Sequence, residues 1–178
     1  MAYELWEDLD FHAPDNVIMP VGAGSSLLGC WLGFQELVAA GQISQLPRLF
    51  AAQPSNCSPV DASFQAQTDQ RVSRAVFPTV AEGTAISKPL RLTQMIHALW
   101  DSQGGTVAVD EAAIVAGLRQ LASRGLFVEP TSATAAAAYT QLLRDGIIEP
   151  TERTVVLLTG SGLKAAATVQ ELVSSQLL

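Results

Sequence analysis

Charge is scarce in this sequence of 178 residues: 15% is Asp, Glu, Lys or Arg, against about 25% in ordinary soluble domains. Basic residues are scarcer still, 10 against 17 acidic, which leaves a net charge of −7 and no basic cluster. That balance argues against nucleic acid as a partner. Long apolar runs are missing as well. No stretch of about 18 apolar residues survives the scattered Gln, Ser, Arg and Asp, so neither a transmembrane helix nor a membrane partner is expected. Cysteine is limited to Cys30 and Cys57, with neither metal-ligand spacing nor the density of a disulfide scaffold. The basic start of a signal peptide is lacking too, since Glu4, Glu7, Asp8 and Asp10 crowd the beginning. These absences together suggest a cytoplasmic setting, with Cys30 a buried thiol inside an apolar helical pattern. Aliphatic character is what remains, and a hydrophobic fraction of 48% excludes disorder and supplies a core. No internal repeat and no linker divides the chain, so residues 1–178 read as a single domain.

Short aliphatic runs alternate with helical patterns. Strands are expected at Val17–Val21, Arg48–Ala52, Thr106–Val109 and Thr154–Leu158, with weaker candidates at Ala75–Phe77 and Leu126–Val128. Val155, Val156, Leu157 and Leu158 run on without alternation, as in a strand covered on both faces. Helices are expected over Ser26–Ala40, stopped by Gly41; after Asp110, with Ile114, Leu118 and Leu121 on one face; over Thr131–Arg144, closed by Gly146; and over Leu163–Ser175. Shorter ones fit Pro59–Thr68 and Leu92–Trp100, and Ala2–Leu9 reads as the last turns of a helix. The alternation predicts an α/β fold with a largely parallel sheet flanked by helices.

Two glycine turns join a strand to a helix. The first is Pro20-Val21-Gly22-Ala23-Gly24-Ser25-Ser26, where backbone N–H groups at a helix N-terminus form an anion site. Gly22 and Gly24 let a phosphate approach, and Ser25 and Ser26 either cap the helix or donate hydroxyls. A plain tight turn is the alternative. No lysine follows for a Walker loop, and Gly29 comes too late for a dinucleotide fingerprint, so a small monophosphate suits the loop better. The second turn, Thr159-Gly160-Ser161-Gly162-Leu163-Lys164, presents a neutral hydroxyl at Thr159. Between them, Glu129 precedes Pro130 at a helix start, either as a ligand-binding carboxylate or, on local grounds, as a helix cap. His12 and His97 stand alone, without ligand or catalytic spacing.

In order, these motifs resemble the C-terminal part of the fold-type-II pyridoxal-phosphate enzymes, the threonine synthases above all. The similarity runs from Ala2-Tyr3-Glu4-Leu5 through the Gly22 turn, Gly33-Phe34-Gln35-Glu36-Leu37 and Pro47-Arg48-Leu49. It resumes at Ala81-Glu82-Gly83, Phe127 to Ala133 and Thr159 to Lys164, and so spans nearly the whole chain. The resemblance implies most of the family's large domain. It implies that Gly22, Ala23, Gly24, Ser25 and Ser26 hold the phosphate of pyridoxal 5'-phosphate, that Thr159 meets the pyridine nitrogen, and that Glu129 lies near the ring. It implies lyase chemistry in amino-acid biosynthesis, phosphohomoserine and water giving threonine and phosphate, hence a small amino-acid phosphate as substrate. Ala23 and Ser26 stand where family members often have asparagine, and Ala165 where an aspartate is common. The Schiff-base lysine of these enzymes lies in their N-terminal half, and neither Lys88 nor Lys164, the two lysines here, sits in its motif. The expectation is therefore a C-terminal segment without a catalytic lysine of its own, inactive alone, that forms a homodimer or joins a complementing N-terminal chain. The alternative is a non-catalytic module that keeps the fold and binds phosphate or the cofactor.

Overall fold

A computed structural model describes residues 1–175. Its elements follow the order α1 (Ala2–Asp8), β1 (Asn16–Pro20), α2 (Ser25–Ala39), β2 (Arg48–Pro54), α3 (Pro59–Gln65), α4 (Leu92–Asp101), β3 (Gly105–Val109), α5 (Glu111–Ala122), α6 (Pro130–Arg144), β4 (Thr154–Val156) and α7 (Ala166–Ser174). The four strands form one sheet in the order β3-β2-β1-β4, and every pairing is parallel. The expected α/β architecture with a parallel sheet is what the chain adopts.

Strand pleating sorts the core into two layers. Val17 and Met19 of the first strand and Val21 just after it, with Leu49 and Ala51 of its neighbour, pack with residues of α1, α2 and α4. The alternate residues Ile18, Phe50 and Ala52 face α5, α6 and α7. β1 is buried along its whole length, which is why it reads as a continuous apolar run. Each large side chain removed from water in this way contributes about 1.5–3 kcal/mol before entropy is counted.

The strand order fixes where a ligand crevice falls. From β1 the chain steps outward to β2 and β3, then crosses back to place β4 on the far side of β1. The helix after β1 lies in one layer and the helix after β4 in the other. Between β1 and β4 the winding reverses, and the region outside their carboxyl ends is where sheets of this kind place a ligand crevice.

Several expectations need correction. Ala75–Phe77 is no strand: it lies in irregular chain with Phe77 exposed, because an apolar run without a sheet neighbour has no partner for its backbone. Of Leu126–Val128, only Val128 pairs, in one antiparallel bridge to Ser161. β4 stops at Val156, short of Leu158, and is half-buried throughout with Leu158 exposed, so this run is not covered on both faces: it is an edge strand with a neighbour on one side only. The last helix is preceded by a 3₁₀ turn, Gly162–Ala165, and becomes α-helical at Ala166.

Candidate functional site

The first glycine turn leaves β1 at Pro20 and enters α2 at Ser25. Gly24, not a serine, is the N-cap; it is left-handed at φ 88°, and no side chain caps the helix. No acidic residue sits in the first turn, so neither a cap nor a fixed carboxylate competes for the positive end of the helix. Ser25 is exposed, Ser26 half-buried and Ala23 exposed. Gly24 has no room for a side chain, because a Cβ there would lie 2.2 Å from Met95 Sδ.

A second segment closes one side of the turn. A Cβ on Gly22 would meet Gly83 O at 3.1 Å, Thr84 Cα at 3.2 Å and Ile86 Cδ1 at 3.3 Å. Gly83 in turn donates its N–H to Thr131 Oγ1 at 3.2 Å, near the start of α6. The Ala81-Glu82-Gly83 motif is thereby wedged between the first turn and the helix that begins at Pro130.

That helix start also grips the second glycine turn. The Glu129 N–H donates to Gly160 O at 3.1 Å. Ser132, fully buried, accepts from the Gly160 N–H at 2.9 Å and donates to Gly160 O at 3.2 Å. Its hydroxyl also lies 3.5 Å from Thr159 Oγ1. The Glu129 side chain makes no cap hydrogen bond to α6, contrary to the capping role that local sequence favours. Instead its carboxylate lies over Gly160, where a Cβ would be 2.0 Å from Oε1. Thr159 itself is exposed.

Gly22, Ala23, Gly24, Ser25 and Ser26 therefore follow β1, and Thr159 follows β4, its direct neighbour, at the same end of the sheet. Glu129 sits beside the second turn. The residues that knit the turns together, Thr131, Ser132 and Gly83, are not singled out by sequence reasoning as structural links; hydroxyls just inside a helix that begins at Pro130 were the available signal. Lys88 and Lys164 are both exposed. His97 contacts Asp69 Oδ2 at 3.1 Å and stacks on Trp100, away from these turns. His12 Nδ1 meets Asp10 O at 2.7 Å.

The residues fit a phosphate-bearing aromatic cofactor: an uncapped helix N-terminus behind a glycine cradle on one side of the crevice, a neutral hydroxyl and a carboxylate on the other. Comparison with known proteins agrees. The sequence model of a family described as "Pyridoxal-phosphate dependent enzyme" matches residues 1–160. The threonine synthase of Methanocaldococcus jannaschii is 33% identical over 165 residues, 92% of this chain and 41% of that protein. The threonine synthase of Methanosarcina acetivorans is 29% identical, over 95% of this chain and 42% of its own length. Among solved structures, a fungal L-serine ammonia-lyase from Rhizomucor miehei superposes with a TM-score of 0.76 and 25% identity, covering 96% of this chain and 53% of that one. A serine racemase from Dictyostelium discoideum shares the fold, with a TM-score of 0.67 at 23% identity, over 90% of this chain and 47% of that one. The chain thus spans about two fifths of the length of these curated relatives. It is similar to threonine synthases throughout that span, and it belongs to the family of pyridoxal-phosphate dependent enzymes.

Proposed function

We propose that the crevice is one half of a pyridoxal 5'-phosphate site in a threonine-synthase-type lyase, and that the lysine it works with is supplied by polypeptide outside this sequence. When bound, the cofactor supplies an electron sink for bond cleavage beside the amino-acid nitrogen. The protein's part is to bind and orient. The backbone N–H groups of the Gly22–Ser26 turn take the phosphate, with the α2 dipole behind them. Thr159 offers the pyridine nitrogen a neutral hydroxyl, and Glu129, held against Gly160, stands beside the ring. The substrate class is an amino acid carrying a phosphate leaving group, with water as the second reactant. The scarcity of cysteine favours a cytoplasmic setting. The partner is a lysine-bearing segment or a second copy of the chain.

The observation that carries this reading is the interlock of four separated motifs, Gly22 on Gly83, Gly83 on Thr131, Glu129 and Ser132 on Gly160. They meet at the point where the parallel sheet reverses its winding. Calorimetry with pyridoxal phosphate and with inorganic phosphate tests it, followed by an assay of threonine release from phosphohomoserine. The expected result is preference for the cofactor over plain phosphate, no borohydride-reducible visible band on the chain alone, and turnover only when the lysine-bearing part of a related threonine synthase is added. A strong reducible band on Lys88 or Lys164 overturns the assignment. Equal binding of plain phosphate, with no turnover in the mixture, supports instead a non-catalytic phosphate-binding module.

A further inference from the structure

A buried polar side chain stands behind the first glycine turn. Gln53, near the end of β2, is fully buried, and a buried amide is tolerated only when its donors and acceptors find partners. Its oxygen is taken up by the start of α3. That helix begins at Pro59, which has no N–H, and its N-cap Ser58 makes no side-chain hydrogen bond to it. The Val60 and Asp61 N–H groups turn instead to Gln53 Oε1, at 2.9 and 3.2 Å. Two donors on one side fix which end of the amide is oxygen, so Nε2 faces the other way.

What it faces is the turn. Gln53 Nε2 donates to Val21 O at 3.0 Å, and the Val21 N–H donates to Ala52 O at 2.9 Å. Val21, itself buried, is thus held at both of its backbone groups. The peptide unit that joins Val21 to Gly22 is planar and trans, so its C=O and N–H point in opposite directions. Pinning the Val21 oxygen to Gln53 therefore sets the Gly22 N–H on the side away from Gln53. Among the described residues that N–H donates to no protein group, and Gly22 is only half-buried.

We propose that Gln53 is a positioning residue for the anion-binding turn: anchored on the start of α3, it aims the Gly22 N–H outward for a phosphate oxygen. The inference rests on the cofactor reading for the identity of that phosphate. A donor already aimed costs less to use than one that must be ordered as the ligand arrives. The amide suits the place because it offers an oxygen to two N–H groups and a hydrogen to a carbonyl at once. An ionised carboxylate of the same length has the first and lacks the second.

Amide NMR and calorimetry of the whole chain test it, with pyridoxal phosphate as the probe. In the parent, the Gln53 side-chain amide signal should shift saturably, at the same midpoint as the Gly22 N–H. Gln53→Met, of similar length but without the hydrogen bonds, should displace the unliganded Gly22 signal. It should also weaken the cofactor about tenfold, as the loss of one hydrogen bond's worth of aim requires. Gln53→Glu keeps an acceptor for α3. Measured against the parent at each pH, it should bind as poorly as Gln53→Met when ionised and approach the parent in acid, where a neutral carboxyl again has a hydrogen for Val21 O. Parent-like binding by Gln53→Met overturns the proposal, since a loss confined to the ionised variant is charge repulsion and not lost aim. A Gln53 signal that stays still while Gly22 responds also overturns it, and that measurement needs no variant to fold. If pyridoxal phosphate leaves Gly22 to Ser26 of the parent unmoved while Gln53→Met still displaces Gly22, the cofactor reading falls and the aiming of the turn stands.

Discussion

Two glycines in one helix-bearing segment have opposite duties. Gly24 is left-handed and sits on Met95 Sδ, so Gly24→Ala adds left-handed strain of about 1–3 kcal/mol and displaces a buried methionine. Gly29 lies inside α2, where an added Cβ would meet nothing within 4 Å, and Gly29→Ala stabilises by about 0.5–1 kcal/mol through lost unfolded-state freedom. Urea unfolding at equal m-value checks both signs. The cysteines make a second residue-scale prediction. Burial pushes the Cys30 thiol up to about 11, and burial raises Cys57 as well. At pH 8 the Cys30 thiolate is then on the order of one molecule in a thousand. Labelling by a disulfide reagent should stay slow in the native protein and become fast for both cysteines in denaturant; rapid native labelling of Cys30 refutes the buried assignment. The apolar helical pattern around Cys30 made this legible beforehand. Met95 beneath Gly24 was not, because a contact between residues far apart in sequence leaves no local trace.

At the scale of elements, the start of α6 is the clasp of the crevice. Ser132→Ala leaves the Gly160 N–H without the acceptor it has at 2.9 Å, a loss of about 1–3 kcal/mol. It also frees the turn that carries Thr159. Thr140→Ala, which removes an exposed hydroxyl bonded back to Ala136 O in the same helix, should leave stability nearly unchanged. Comparing the two by urea midpoint, with hydrogen exchange at Gly160, separates the clasp from helix propensity; equal effects would refute it. Much of this layer is readable from local pattern. β1 and β2 show as apolar runs because both faces are covered, and the Asp110 cap is realised, accepting from the Ala113 N–H at 2.7 Å. The failures share one cause. Ala75–Phe77 has strand-like composition, but pairing is a property of neighbours, and the chain there is fastened by Asn56 instead. Glu129 has a cap's position without a cap's hydrogen bond, because Gly160, 31 positions later, leaves space beside it. The motifs of the crevice were visible one by one; their convergence depended on strand order, which local pattern does not encode.

Over the whole molecule, the crevice at the carboxyl ends of the strands has a counterpart at the amino ends that fixes the register. Arg48 opens β2 and donates to Asn16 Oδ1 at 2.9 Å, to Ile147 O at 3.0 Å, and to both Glu152 oxygens at 2.7 and 2.8 Å. Asn16, at the start of β1, reaches Thr154 Oγ1 at 3.0 Å, so one network holds the beginnings of β2, β1 and β4 level. The Glu149 N–H, donating to Glu152 at 2.8 Å, is foremost in holding the Glu152 carboxyl below its ordinary value of 4.5, with Asn16 and Arg48 adding to it. A carboxyl lowered on folding contributes stability that is complete above its unfolded pKa and disappears as pH falls through the folded one. The pair is part-exposed and screened, so the contribution is about 1 kcal/mol or less. Glu152→Gln should therefore lower stability at neutral pH, with the gap to the parent narrowing below about pH 4.5 and closing further into acid. Denaturant midpoints across that range, in parent and variant, give the measurement; a gap independent of pH would show that Glu152 acts through shape and not through charge. Phosphate titration of Gly24 to Ser26 at neutral pH should be the same in both proteins, since the network and the crevice lie at opposite ends of the same three strands.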